Sequence, residues 1–340
     1  MQRIVECVPN FSEGRDIKII NAIAGAITAV PGVKFISAEP DKDYNRTVVT
    51  FIGEPGAVLE AAFQGTKAAS ELIDMTKHKG EHPRLGATDV VPFVPLRGVE
   101  MLDCVKLAHE FGKRVGDELH IPIYLYEEAA TRPERKNLSI IRRGEYEGLA
   151  DKLKDPSWQP DYGPAQFNAT SGATVTGARV FLIAYNVNLA TNDTKVAKEI
   201  AERIRESGRI AKGSDGKPRL DVAGQKLTIP GSLKAVKAMG VLLEAQNIAQ
   251  VSINLTNFYV TPPHVAFEEV KKEAATLGVS VTGSELVGLS PLEALLMAGR
   301  YYSQNGTSTE AELLQVAEEK LGLNQFDKFD PQKKIIEYQL

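Results

Sequence analysis

One order of apolar patterns, met twice along the chain, limits the fold more than any other feature: strand, helix, two strands, helix, strand. Residues 3–8 read as an opening strand and Pro9-Asn10-Phe11-Ser12-Glu13-Gly14 as a polar turn. Ile17, Ile20, Ala24 and Ile27 then recur at three- and four-residue steps, the period of a helix with one buried face, and Pro31-Gly32 ends it. Residues 33–37 and 47–52, rich in β-branched and aromatic side chains, predict two strands joined by the charged segment 39–46. Val58, Ala62, Gly65, Ala69 and Leu72 stripe the next helix, and residues 89–94 form the strand after it. A further helix, striped by Leu102, Val105, Ala108, Phe111, Val115 and Leu119, and a strand at 121–126 extend the unit.

The second half repeats the outline. Residues 173–189 contain a long apolar strand with Thr174, Val175, Thr176, Val180 and Phe181, and Asp193 or Thr194 caps a helix striped by Val196, Ile200 and Ile204. Strands at 236–243 and 249–255 flank Glu244-Ala245-Gln246-Asn247 as a hairpin. A helix striped by Phe267, Val270, Ala274 and Leu277 closes at Gly278 before a short strand at 279–281. The glycine-rich, basic loop 207–219 is expected to be exposed and mobile. Ser290-Pro291-Leu292-Glu293 has the residues of a capping box, and from Thr307 another helix and a polar tail follow. Two βαββαβ units make the expected class α/β (α+β), with two ferredoxin-like subdomains. Residues 132–164 turn polar, interrupted by Trp158, Pro160, Tyr162 and Pro164, and read as the junction between domains. The domains are expected at 1–172 and 173–340.

Composition narrows the class of function. With 40 basic and 44 acidic residues and a net charge of −4, the chain carries no global field to hold a nucleic acid. Cys7 and Cys104 stand in apolar segments without a Cys-x-x-Cys spacing, as buried thiols of a reducing compartment do. No signal-peptide pattern opens the chain, and no run reaches the roughly 18 apolar residues of a membrane helix. The expectation is a soluble intracellular protein with no membrane partner.

The chemistry is expected between Met75 and Pro95. A loop interrupted by Gly80 and Pro83 carries Lys77, His78, Glu81, His82 and Arg84, and an apolar strand anchors it. His78 and His82 are four apart, but Gly80 and Pro83 argue against the helix that would aim both at a metal. The order His-Lys-Gly-Glu-His is also not that of a zinc protease, so no metal is expected. Acid–base work is the functional alternative, against the bland reading of a solvated charged loop. His109 and His120 read as structural and His264 as exposed. Small residues from Gly163-Pro164 to Gly172-Ala173 precede a strand, where bare backbone can approach a flat ligand, or merely link domains. No dinucleotide, nucleotide-phosphate or nucleophile-elbow motif occurs.

These segments together resemble the formiminotransferase family. The likeness runs through Val5-Glu6-Cys7-Val8-Pro9-Asn10-Phe11-Ser12-Glu13-Gly14, Asn45-Arg46-Thr47-Val48, residues 77–87, residues 172–179, Ser284-Glu285-Leu286-Val287-Gly288-Leu289 and Ile335-Ile336-Glu337-Tyr338. The resemblance implies two ferredoxin-like subdomains packed side by side with a folate groove between them, in a cytoplasmic homodimer. It further implies transfer of a formimino group from N-formimino-L-glutamate to tetrahydrofolate as co-substrate, in histidine breakdown. Animal relatives carry a cyclodeaminase domain after this one, so ammonia release is expected to fall to a separate enzyme.

By the same likeness the catalytic histidine falls on His82, which would handle protons at its ordinary pKa near 6.5. The folate-binding stretch falls on Gly163, Pro164, Ala165, Gln166, Phe167, Asn168, Ala169, Thr170, Ser171 and Gly172. Arg46, Lys77 and Arg84 are the cations near enough in sequence for the substrate carboxylates. Relatives place an aspartate before Asn-Arg-Thr. Glu39 takes that place here, with Asp41 and Asp43 close by, so the carboxylate assisting His82 is one of three. Formyl transfer between 5-formyltetrahydrofolate and glutamate, or a non-catalytic folate-binding module, remain the alternatives.

Overall fold

The computed structural model describes residues 3–213, 215–222, 224–303 and 309–339. The chain divides into two compact units, Met1–Val180 and Phe181–Leu340.

The first unit opens with β1 (Ile4–Cys7) and β2 (Asn10–Phe11), followed by α1 (Ile17–Thr28), β3 (Val33–Asp41), β4 (Arg46–Gly53), α2 (Pro55–Leu72) and β5 (Thr88–Arg97). β1 pairs antiparallel with both β4 and β5, and β3 pairs with β4, so the strands lie β3-β4-β1-β5, the ferredoxin-like arrangement. The turn expected at residues 9–14 contains β2, which continues between β4 and β5 and buries Phe11.

α3 (Met101–Leu119), β6 (Ile123–Glu127), the short helices α4 (Leu138–Ile141) and α5 (Leu149–Lys152), and β7 (Thr174–Ala178) complete the unit. β7 pairs parallel with β5 and with β6, giving a seven-stranded sheet. The apolar stripes of α1, α2 and α3 bury Ile23, Ile27, Ala62 and Phe111 against Cys7, Phe51, Val91 and Phe93. Each fully buried aliphatic or aromatic side chain of this kind contributes roughly 1.5–3 kcal/mol. Burial raises both thiols here, Cys104 to about 12 and Cys7 well above its ordinary value, so neither ionises near neutrality.

Residues 132–164 are not a loose junction. α4 and α5 bring Ile141, Leu149 and Leu153 onto Tyr124, Tyr126, Val90 and Val175, a second core in the same unit. Beneath it lies Arg135, buried and paired with Asp161 at 2.8 Å. Where one long strand is expected within 173–189 there are two, the first of them, β7, lying between β5 and β6. The division at Val180 therefore falls after the expected boundary at 172.

The second unit contains β8 (Ile183–Leu189), α6 (Thr194–Ile204), a small ribbon of β9 (Arg209–Ile210) and β10 (Thr228–Ile229), then β11 (Val236–Leu243), β12 (Ile248–Leu255), α7 (Pro263–Thr276) and β13 (Val281–Val287). Its antiparallel order β11-β12-β8-β13 is the same ferredoxin-like pattern. α8 (Leu292–Tyr302) and α9 (Glu310–Leu321) follow; Thr307 lies outside the described residues. The expected capping box is absent. Pro291 is itself the cap residue of α8, Ser290 is buried, and Glu337 accepts the Leu292 N–H at 2.8 Å. His264, expected exposed, is buried against Tyr301, with ring centroids 4.6 Å apart.

Candidate active site

The loop between α2 and β5 is fixed by four other segments of the first unit. At its start, Asp74 Oδ1 accepts from Thr76 N–H and Oγ1 at 3.1 and 2.6 Å, a local turn, while Met75 N–H donates to the Thr170 carbonyl at 2.9 Å. In its middle, the β3–β4 turn closes on it. Asn45, at φ 49°, accepts the Gly14 N–H on Oδ1 and donates from Nδ2 to the Lys79 carbonyl, each at 3.0 Å. Gly80 is required there, since a Cβ would lie 2.4 Å from the Tyr44 carbonyl oxygen.

At its end, Ser12 Oγ donates to the Gly86 carbonyl at 2.8 Å, Ala87 N–H to Ser171 at 2.9 Å and Ala173 N–H to Leu85 at 3.1 Å. Gly86 and Gly172 form a bridge so close that a Cβ on Gly86 would come within 2.3 Å of the Ser171 oxygen.

Arg84 is the loop's internal tie. Its side chain is only 5% exposed and meets Glu147 at 2.6 Å and Glu145 at 3.0 Å. Its Nε–H donates to His78 Nδ1 at 3.3 Å, and its carbonyl accepts the Tyr146 N–H at 2.8 Å. The two carboxylates outweigh the burial that would otherwise lower its pKa. His78 Nε2 lies 2.9 Å from the Asn45 carbonyl, so both its nitrogens are engaged and its pKa falls, chiefly through burial.

His82 is different. It is 8% exposed, neither ring nitrogen has a hydrogen-bond partner among the described residues, and Tyr44 meets it edge-on with ring centroids 6.3 Å apart. Burial, then the charges of Arg142, Arg46 and Arg84, push its pKa down to about 4, while Asp89 pulls the other way. The imidazole is therefore a neutral base at pH 7 in the free protein, not a group poised at its ordinary 6.5. Glu81 and Pro83 on either side of it line two shallow depressions of about 490 and 240 Å³ that share Gly144 and Glu145.

Asp89 is the carboxylate that acts on His82. It is 1% exposed, accepts the Leu85 N–H at 2.9 Å on one oxygen and pairs with Arg142 through the other. Glu39 is exposed on the edge strand β3, bonded by Ser37 Oγ at 3.1 Å, and none of Glu39, Asp41 and Asp43 is among the charges felt most at His82. Asp41 instead caps the turn, accepting the N–H groups of Asp43 and Tyr44.

Of the expected cations, Lys77 is 82% exposed and paired with Asp74, and Arg84 is engaged as described, which leaves Arg46. Sequence reasoning missed Asp89 and Arg142. The visible signal was a carboxylate at the head of an otherwise apolar strand. Among the described residues no group of three or more His, Cys, Asp or Glu is arranged to hold a metal.

A two-unit α/β protein with a buried, neutral histidine among arginines is a candidate for acid–base group transfer. The chain matches the model of the formiminotransferase domain N-terminal subdomain over residues 4–179 and that of the formiminotransferase domain over 184–340. It belongs to the formiminotransferase family. It is 50% identical to a formimidoyltransferase-cyclodeaminase of Dictyostelium discoideum over 99% of this chain, spanning 60% of that relative's length. It is 45% identical to a glutamate formimidoyltransferase of Thermoplasma acidophilum, over 93% of this chain and 98% of that one. To a glutamate formimidoyltransferase of Streptococcus pyogenes it is 44% identical, over 89% of this chain and 94% of the other. No helix among the described residues is long and apolar enough to cross a membrane.

Proposed function

We propose that the chain transfers the formimino group from N-formimino-L-glutamate to N5 of tetrahydrofolate, giving 5-formimidoyltetrahydrofolate and L-glutamate. The observation that carries this reading is His82, a buried imidazole held neutral in a chain similar over most of its length to two proteins named glutamate formimidoyltransferase. N5 attacks the formimino carbon, and His82 accepts the N5 proton as the tetrahedral adduct forms. The bond from that carbon to the glutamate nitrogen then breaks, and the imidazolium returns the proton to the departing nitrogen. No net proton is consumed.

In this reading the backbone from Gly163 to Gly172 faces the folate. Its support is the run of exposed or half-exposed residues at 163–170, with Asn168 Oδ1 fixing the turn by accepting the Ser171 N–H at 3.0 Å. Ser171 and Gly172 are buried against the histidine loop and serve as the anchor of that run. Asp89 takes the role of the carboxylate beside His82 in place of Glu39. The working form is a cytoplasmic homodimer, on the strength of the family resemblance.

The test is transfer from N-formimino-L-glutamate to tetrahydrofolate by purified wild type and His82→Ala, read as absorbance after acid conversion to the methenyl form. The wild type is expected to be active and the folded variant to lose about 10²–10⁴-fold in turnover, the usual contribution of a general base. A His82→Ala protein as active as wild type would sink the assignment.

A further inference from the structure

Two half-buried arginines whose charges act on His82 each keep an Nε–H that nothing uses. Arg46 Nε and Arg142 Nε are both buried without a hydrogen-bond partner among the described residues. Arg46, the first residue of β4, makes one long bond, to Asn10 Oδ1 at 3.4 Å, and has no carboxylate within 4.0 Å among the described residues. Arg142, just past α4, gives one terminal nitrogen to Asp89. The two cations act on each other and both act on His82. The other charges facing them are accounted for. Arg84 is matched by Glu145 and Glu147, Asp41 is tied to its own turn, and Asp89 holds Arg142 and the Leu85 N–H.

A buried donor left unmade is unfavourable by roughly 1–3 kcal/mol, more for a charged group, and a fold does not retain two beside one imidazole without a use for them. The fork of an arginine matches a carboxylate. We propose that Arg46 and Arg142 form the carboxylate site of the amino-acid substrate, a dicarboxylate docking on the two guanidiniums next to His82. The identity of the ligand rests on the transfer reading; the site itself does not. Occupancy also has a chemical consequence. An anion on the two arginines offsets the charge that disfavours the imidazolium, so the ring that enters as a base can carry its proton until the glutamate nitrogen departs.

The probe is glutarate, a plain dicarboxylate, titrated calorimetrically into the full chain without folate. Saturable binding that weakens roughly tenfold or more in Arg46→Gln and in Arg142→Gln is expected, the effect of losing one charge-assisted hydrogen bond. In the His82 imidazole proton resonance, glutarate is expected to move the titration midpoint upward, which a merely structural role would not do. Arg46→Gln breaks no ion pair and keeps the test decisive if the Arg142 variant does not fold. Absence of glutarate binding to wild type, or equal binding by folded Arg46→Gln, would overturn the site. A wild type that binds glutarate through these arginines yet transfers nothing keeps the site and sinks the transfer reading. One that transfers while glutarate neither binds nor competes does the reverse.

Discussion

Asn45 and His78 are joined through the main chain: the imidazole Nε2–H donates to the Asn45 carbonyl at 2.9 Å. A carbonyl only accepts and an arginine Nε–H only donates, so these partners fix His78 as the neutral Nε2–H tautomer. The link holds the β3–β4 turn against the histidine loop, and the Asn45 side chain adds two more bonds between Gly14 and Lys79.

Replacing Asn45 by alanine removes both side-chain bonds and leaves a non-glycine Cβ at φ 49° without the local compensation asparagine provides. A loss of about 2–3 kcal/mol is expected from urea denaturation. Asn45→Asp, which keeps the acceptor for Gly14, should fall between the two, and equal stability of all three proteins would contradict this account.

His82 sets a pH signature. Its folded pKa of about 4 lies below the ordinary 6.5, so the folded chain binds fewer protons than the unfolded one. Its contribution to stability is full above about pH 6.5 and is lost as pH falls toward 4, by on the order of 3 kcal/mol in all. His82→Ala should remove that slope. In catalysis the acid limb of kcat/KM, which reports the free protein, should sit near 4; a limb at 6.5 would show that the ring is not buried as described.

Asp89 and Glu39 are separable by their amides. Asp89→Asn breaks a buried pair with Arg142 and weakens the grip on Leu85, with an expected loss of about 3–5 kcal/mol in stability. It also lowers the His82 pKa further, since the main charge favouring the imidazolium is gone. Glu39→Gln should change stability by less than about 0.5 kcal/mol, as an exposed substitution does. A Glu39 variant that loses turnover while Asp89→Asn keeps it would reverse the assignment.

Gly80 and Gly86 leave no room for a methyl group, because main-chain oxygens occupy the space at 2.4 and 2.3 Å. Alanine at either is expected to destabilise by about 1–3 kcal/mol and to loosen the loop. Amide exchange at residues 76–86 should quicken in both variants while that of α2 does not change.

Much of the fold was legible because its elements alternate cleanly between periods of 3.6 and 2. In α1 the expected Ile20 and Ile27 are buried, while Ile17 is exposed and Ile23 is buried in place of the expected Ala24, and the β-branched run of β4 leaves little choice. The apolar run from Thr174 to Leu189 misled for a physical reason. Both β7 and β8 are largely buried, and between them only Arg179 interrupts the apolar run, with no Gly or Pro to mark where one sheet ends and the next begins. His264 was misread because two prolines before it suggested a solvated helix start, whereas Tyr301, distant in sequence, covers it. In the site, the dense loop pointed to His82, but the partners arrive from 89 and 142, and only pairing in space reveals them. Arg84 and Lys77 looked available in sequence for the same reason that hid their carboxylates at 145, 147 and 74.

The parallel insertion of β7 between β5 and β6 sets a timetable for synthesis. A ribosome that has released the chain only as far as Gly172 has made β5 and β6 but not the strand that belongs between them, so the facing edges of both stand unpaired. Such edges recruit other chains. The first unit closes only when Thr174–Ala178 emerges, and a fragment cut at 172 is expected to aggregate where one cut at 180 folds.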